Sequence, residues 1–135
     1  MILVVHIGEQ IMMRLSGKRG EKGESVVLDS RSFLRECLAY LRSQRQDPTR
    51  LDGILLLSGE AKFSLSRQVT TALNTLAFAY GIKIAGIRAS FLDEASMLQG
   101  LRALHRVSPG VPTLPWYAGA PHITKPKKRQ WHEKV

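Results

Sequence analysis

Two short aliphatic runs constrain this chain more than any other feature. Residues 2–7 read Ile-Leu-Val-Val-His-Ile, and residues 51–57 carry Ile54-Leu55-Leu56-Leu57 at their centre. Unbroken runs of this length, without polar alternation, predict central strands covered on both faces. Residues 10–16 alternate instead, with Ile11, Met13 and Leu15 on one side, which predicts a strand with one mostly buried face. Gly8-Glu9 supplies the tight turn between these first two strands. Residues 17–23 hold three glycines and three basic residues, an exposed hairpin loop, and residues 24–28 supply a third strand.

The periodicity then changes. Asp29 or Ser30 can cap a helix running to about residue 45. On it Leu34, Cys37, Leu38 and Leu41 form one stripe, which Phe33 and Tyr40 widen to an arc of roughly 160°. Asp47-Pro48 ends this helix before the strand at 51–57, and residues 58–64 form a loop. A second helix is predicted from about 65 to 80, with Gly81 where a C-terminal cap belongs. Its Leu65, Val69, Ala72, Leu73, Leu76 and Tyr80 face one way, whereas Phe78 points to the opposite side with Arg67, Thr71 and Asn74. Residues 82–87 predict a fifth strand and residues 93–105 a third helix. Five of the six prolines lie within residues 108–126, so the C-terminal segment reads as an extended, irregular strap.

The element order is β-β-β-α-β-α-β-α. Tight loops make the first three strands antiparallel, and right-handed helical crossovers set the last two parallel to a neighbour. The expected fold is α/β, a mixed five-stranded sheet with packed helices, in the ribonuclease H-like arrangement that forms the half-unit of the actin-like ATPases. Residues 1–107 form a single lobe, and residues 108–135 a Pro-rich, basic strap and tail.

Composition narrows the functional classes. With 135 residues, 44% hydrophobic and 23% charged, the chain suits one folded domain. A single cysteine excludes an intramolecular disulfide and a multi-cysteine zinc site, and points to a reducing, cytoplasmic setting. The apolar opening stops at His6, and the apolar stretch 72–87 is broken by Asn74, Gly81 and Lys83, so no membrane span is expected. The formal charge is +9, of which +4 falls in the last 15 residues. Lys125, Lys127, Lys128 and Arg129, with Trp131 as a stacking side chain and the loop residues Lys18, Arg19 and Lys22, form a candidate nucleic-acid contact. A solvated basic tail is the alternative.

Catalytic signatures are wanting. His6, His105, His122 and His132 lie far apart with no paired metal spacing. Cys37 falls on an apolar stripe, as expected of a buried, inert thiol. There is no Gly-x-Ser-x-Gly elbow and no Walker loop. Ribonuclease H chemistry needs carboxylates clustered on the first and fourth strands, where this chain offers His6 and, at the strand start, Asp52. The loop 58–64 leads into a helix N-terminus that could cradle an anion, but Glu60 would repel a phosphate. The expectation is a protein that is not an enzyme and holds no metal or cofactor.

One resemblance sharpens this. Leu51-Asp52-Gly53-Ile54-Leu55-Leu56-Leu57, then Gly59 and Phe63-Ser64-x-x-Arg67, resembles the TsaB (YeaZ) family, and residues 72–82 continue the match. The family pattern there is a hydrophobic strand, Gly-Pro-Gly-Ser-Phe-Thr-Gly-Leu-Arg, an Ala/Leu-rich helix and Gly-Ile/Val. Pro115-x-Tyr117-x-x-x-Pro121-x-Ile123-Thr124-Lys125 is similar to a C-terminal signature of some members. The resemblance covers about 1–90 and 112–128, carried by the order of its motifs. It departs where His6-Ile7-Gly8 replaces the usual Asp-Thr-Ser, and where Glu60, Ala61 and Leu65 replace the loop's Pro and two glycines. A full-length member has a second lobe, and the passage from His105 through Pro109 to the C-terminal signature leaves no room for one.

What the resemblance implies is a non-catalytic scaffold subunit in the synthesis of threonylcarbamoyladenosine on tRNA, partner of a TsaD-type transferase. It also implies pairing through the first two helices, for which Phe33, Cys37, Tyr40, Thr71, Asn74 and Phe78 are the candidate interface residues. Phe33, Cys37 and Tyr40 could equally fill the chain's own core. Without a transferase the same surface is expected to close a homodimer. A small nucleic-acid-binding module using the basic tail is the alternative function.

Overall fold

The computed structural model describes residues 1–17 and 23–115. Its five strands are β1 (Ile2–Ile7), β2 (Ile11–Ser16), β3 (Val26–Leu28), β4 (Gly53–Ser58) and β5 (Ile84–Arg88). They form one sheet in the order β3-β2-β1-β4-β5. The first two pairings, β1 with β2 and β2 with β3, are antiparallel, whereas β4 is parallel to both β1 and β5. Three helices complete the fold: α1 (Phe33–Ser43), α2 (Phe63–Tyr80) and α3 (Glu94–Arg106). This is the expected mixed α/β arrangement. No helix among the described residues is long and apolar enough to cross a membrane.

The aliphatic runs are explained by two cores on opposite sides of the sheet. Leu3, Val5, Ile7, Ile54 and Leu56 join Phe33, Cys37 and Leu41 of α1 and Val69 and Leu73 of α2. Val4, Leu55 and Leu57 join Ile87, with Met97 and Ala103 of α3 packed against them. Alternate residues of β1 and β4 thus enter different cores, so neither strand has a position to spare for a polar residue. Two polar residues depart from this: Ser58, buried at the end of β4, and His6, whose Nε2 lies 3.2 Å from the Ala89 carbonyl. A carbonyl only accepts, so Nε2 carries the proton and ties β1 to the segment after β5.

Local chemistry sets the element ends. Gly81 adopts φ +66°, the left-handed conformation that glycine tolerates best. Its N–H and that of Ile82 close a Schellman cap on the carbonyls of Phe78 and Ala77. Because Ile82 belongs to that cap, β5 begins at Ile84 rather than at the expected 82. Asp93 caps α3 by accepting from the Ser96 N–H at 2.8 Å. Asp29 caps a short 3-10 turn, Ser30–Ser32, that precedes α1. That turn delays α1 to Phe33, and the third strand is shorter than expected because only Val26–Leu28 pair with β2. α3 lies close on the sheet at Gly100, where an added Cβ would sit 2.5 Å from Leu55 Cδ2.

Candidate partner-binding face

Helices α1 and α2 lie on one side of the sheet, and their outer surfaces carry the exposed Leu34, Phe63 and Phe78. The α1 core stripe is turned from the expected one. Phe33, Cys37, Tyr40 and Leu41 are its buried residues, and Leu34 is 37% exposed. Phe33, Cys37 and Tyr40 are therefore corrected as interface residues: their side chains fill the chain's own core. The 3-10 turn carries the chain into α1 so that Phe33 enters the core with its first turn. The Tyr40 hydroxyl accepts from the Leu15 N–H at 3.2 Å and donates to the Glu24 carbonyl at 2.9 Å, anchoring α1 to β2. Burial pushes the Cys37 thiol up to about 12, so it is an inert core group.

On α2 the buried set is Ser66, Val69, Thr70, Leu73, Leu76 and Ala77. The sequence pattern placed Leu65, Ala72 and Tyr80 on this stripe. They are only half-buried and pack at its margin. Thr71 is exposed, and Phe78 is 80% exposed. Phe63, expected in a loop, instead opens α2 and is 48% exposed. It falls on the same stripe as Arg67, Thr71 and Phe78, a spacing legible once the helix start is moved forward by two residues.

This surface is unusual for one facing solvent. In its 18 residues α2 carries one charged side chain, Arg67. A helix with one face in water ordinarily has charged residues along that face, yet here it presents Ser64, Gln68, Thr71 and Thr75. Two shallow depressions cross it. One is lined by Phe63, Arg67 and Thr71, the other by Leu34, Arg35 and the rim of Phe33, and both include Gln68 and Ala72. The outer faces of α1 and α2 thus form one continuous surface.

Asn74 serves a different purpose from the expected one. Its Nδ2 donates to the Thr113 carbonyl at 2.8 Å, and its Oδ1 accepts from the Thr113 N–H at 2.9 Å. Both ends of the carboxamide are engaged by the chain's own strap, so Asn74 is corrected from partner contact to strap anchor. Thr113 rests on Gly86 of β5, where an added Cβ would lie 2.4 Å from Thr113 Oγ1. Between strap and helix runs a cleft of about 300 Å³, lined by Phe78, Ile82, Val111 and Pro112.

A separate cleft opens at the β1–β2 turn and the start of α2, lined by Gly8, Glu9, Glu60, Lys62 and Gln68. Two carboxylates face one ammonium group there, a poor setting for a phosphate despite the helix N-terminus. Among the described residues no group of three or more His, Cys, Asp or Glu side chains gathers to hold a metal ion. Lys18, Arg19, Lys22, Lys125, Lys127, Lys128, Arg129 and Trp131 lie outside the described residues.

The sheet order, the two crossovers and the helices on both faces give a mixed α/β fold of the ribonuclease H-like kind, consistent with that of the actin-like ATPases. Among solved structures the chain is similar to YeaZ from Pseudomonas aeruginosa, with a TM-score of 0.54 at 17% identity over 64% of this chain and 43% of that one. It is also similar to a protein described as uncharacterized "with similarity to peptidase YEAZ from Pseudomonas aeruginosa", with a TM-score of 0.55 at 18% identity over 64% and 42% of the two chains. The chain spans less than half the length of either. No family model and no curated protein matches it. The structural likeness falls on the same family as the sequence resemblance, and at this identity it establishes the fold.

Proposed function

We propose that this chain is a TsaB-like, non-catalytic subunit that docks onto a TsaD-type transferase through the outer faces of α1 and α2, and so supports threonylcarbamoyladenosine synthesis on tRNA in the cytoplasm. The carrying observation is the near-uncharged outer face of α2, with Phe78 standing 80% exposed on it, on a lobe that shares the YeaZ fold. An exposed aromatic beside small polar residues suits a helix that packs against another protein. The scaffold role, rather than a catalytic one, is supported by His6, which occupies the first-strand position of the family's acid and is bonded to the Ala89 carbonyl. Glu9 and Glu60 beside the start of α2 further disfavour phosphate chemistry in this chain.

Reconstitution tests the proposal. The TsaD-type subunit of the same cell, with its other components and tRNA, is assayed for threonylcarbamoyl transfer with and without this chain. Stimulation by the chain, with no transfer by the chain alone, is the expected result. Equal transfer in both reactions would refute the scaffold role.

A further inference from the structure

Helix α3 packs on the side of the sheet away from α1 and α2. Gly100 and Leu104 are its buried residues, and Met97 and Ala103 pack against the sheet core beneath it. On its outward side Glu94, Leu98, Leu101 and His105 follow at spacings of four, three and four, which sets them in a single stripe. A stripe that faces water is ordinarily polar. Here its centre is Leu98 at 52% and Leu101 at 37% exposure, and Phe91, 73% exposed, stands just before the helix. Charge is sorted to the two ends. Asp93 and Glu94 open α3, whereas Arg102, His105 and Arg106 lie toward its close, and all five are exposed. The one ion pair among the described residues joins the Met1 amine to Asp52, so none of these five has an ionic partner there.

A stripe that runs acid, leucine, leucine, base is its own complement when reversed. A two-fold axis across α3, passing between Leu98 and Leu101, sets Leu98 against Leu101 of a second copy. The same axis sets Glu94 against that copy's His105, with Arg102 one turn away, and Asp93 against its Arg106. Asp93 Oδ1 accepts from the Ser96 N–H at 2.8 Å and leaves the second carboxylate oxygen for that arginine. Each helix N-terminus also meets the other's C-terminus, the favourable arrangement of their dipoles. We propose that α3 is the interface of a homodimer, an antiparallel helix pair with leucines at its centre and opposite charges facing each other at its ends. Parallel pairing would set like charge on like, and an RNA backbone would meet Asp93 and Glu94 at one end of the stripe. The transferase contact proposed above uses the other side of the sheet, so the two contacts do not compete and a complex keeps one transferase per chain.

The mass of the full chain in solution tests this. Light scattering on a sizing column in about 150 mM salt, where exposed charges still act over about 8 Å, reads it against the 15.1 kDa of one copy. The wild type is expected at twice that mass, and Leu98→Asp/Leu101→Asp at the mass of one copy. Phe78→Asp, on the other side of the sheet, is expected to stay dimeric. A charge swap tests the register. Glu94→Arg alone, and Arg102→Glu/His105→Glu alone, each set like charges together in a homodimer and are expected to be monomeric. Mixed, they restore opposite charges at both ends and are expected to return to the dimer mass. That recovery itself shows both variants to be folded, and thermal melting by circular dichroism checks the leucine variant. A monomeric wild type overturns the proposal, as does a dimer that survives the leucine substitutions or one that Phe78→Asp dissolves. A mixture of the charge variants that stays monomeric overturns it too.

Discussion

Replacing Asn74 with alanine removes both hydrogen bonds that hold the strap to α2, at 2.8 and 2.9 Å. Each is worth about 0.5–1.5 kcal/mol net, so the pair contributes about 1–3 kcal/mol. The freed Thr113 groups are only half-buried and can reach water, which keeps the loss within that range. The cost falls first on local opening of the strap, which Thr113 also seats against Gly86. Native-state amide exchange reads it directly. At about 1.4 kcal/mol per factor of ten, Thr113 N–H exchange should quicken by about 10- to 100-fold, while Val5 and Leu56 in the central strands exchange as before. Gly86→Ala should quicken the same amide by expelling Thr113 from the sheet, without touching Asn74. Unchanged Thr113 exchange in Asn74→Ala would refute the anchoring role.

Three further expectations concern the interior. The unfolded Cys37 thiol ionises near its ordinary 9.0, whereas the folded one is held up to about 12, so the folded chain keeps a proton that the unfolded chain loses. Stability from this group is intact below pH 9 and declines above it by about 1.4 kcal/mol per pH unit, and Cys37→Ala should show a shallower decline in urea titrations over that window. Gly100→Ala drives a methyl group to 2.5 Å from the buried Leu55 and should destabilise by about 1–3 kcal/mol in denaturant unfolding. The Thr70 hydroxyl is buried on the sheet side of α2 without a hydrogen-bond partner among the described residues. Thr70→Val should therefore stabilise the fold by about 1 kcal/mol, seen as a raised melting temperature; a lowered one would show that the hydroxyl is satisfied.

The strands were legible because their patterns have one meaning. β1 and β4 divide their residues between two cores, which demands continuous aliphatic runs, and β2 alternates as a half-buried strand does. Gly81 and Asp93 stand at the helix ends that their chemistry favours. The candidate face was only partly legible. Periodicity alone separated Phe78, Thr71 and Arg67 from the α2 core, but it does not say which side of a wide apolar arc meets the sheet. On α1 that uncertainty left Phe33, Cys37 and Tyr40 open between a partner and the core, where their side chains lie, and assigned the exposed Leu34 to the core. The tie between Asn74 and Thr113 spans 39 residues and uses backbone groups of Thr113, so no side-chain pattern announces it.

The docking account meets its most direct test in the molar mass of the chain mixed with a TsaD-type subunit from the same cell, for the wild type and for Phe78→Asp. Phe78 is 80% exposed at the edge of the strap cleft, so the variant is expected to keep its fold. A one-to-one complex with the wild type that is lost in Phe78→Asp, both chains melting alike, is the predicted result. An equally stable complex with the variant, or none with the wild type, would contradict the account.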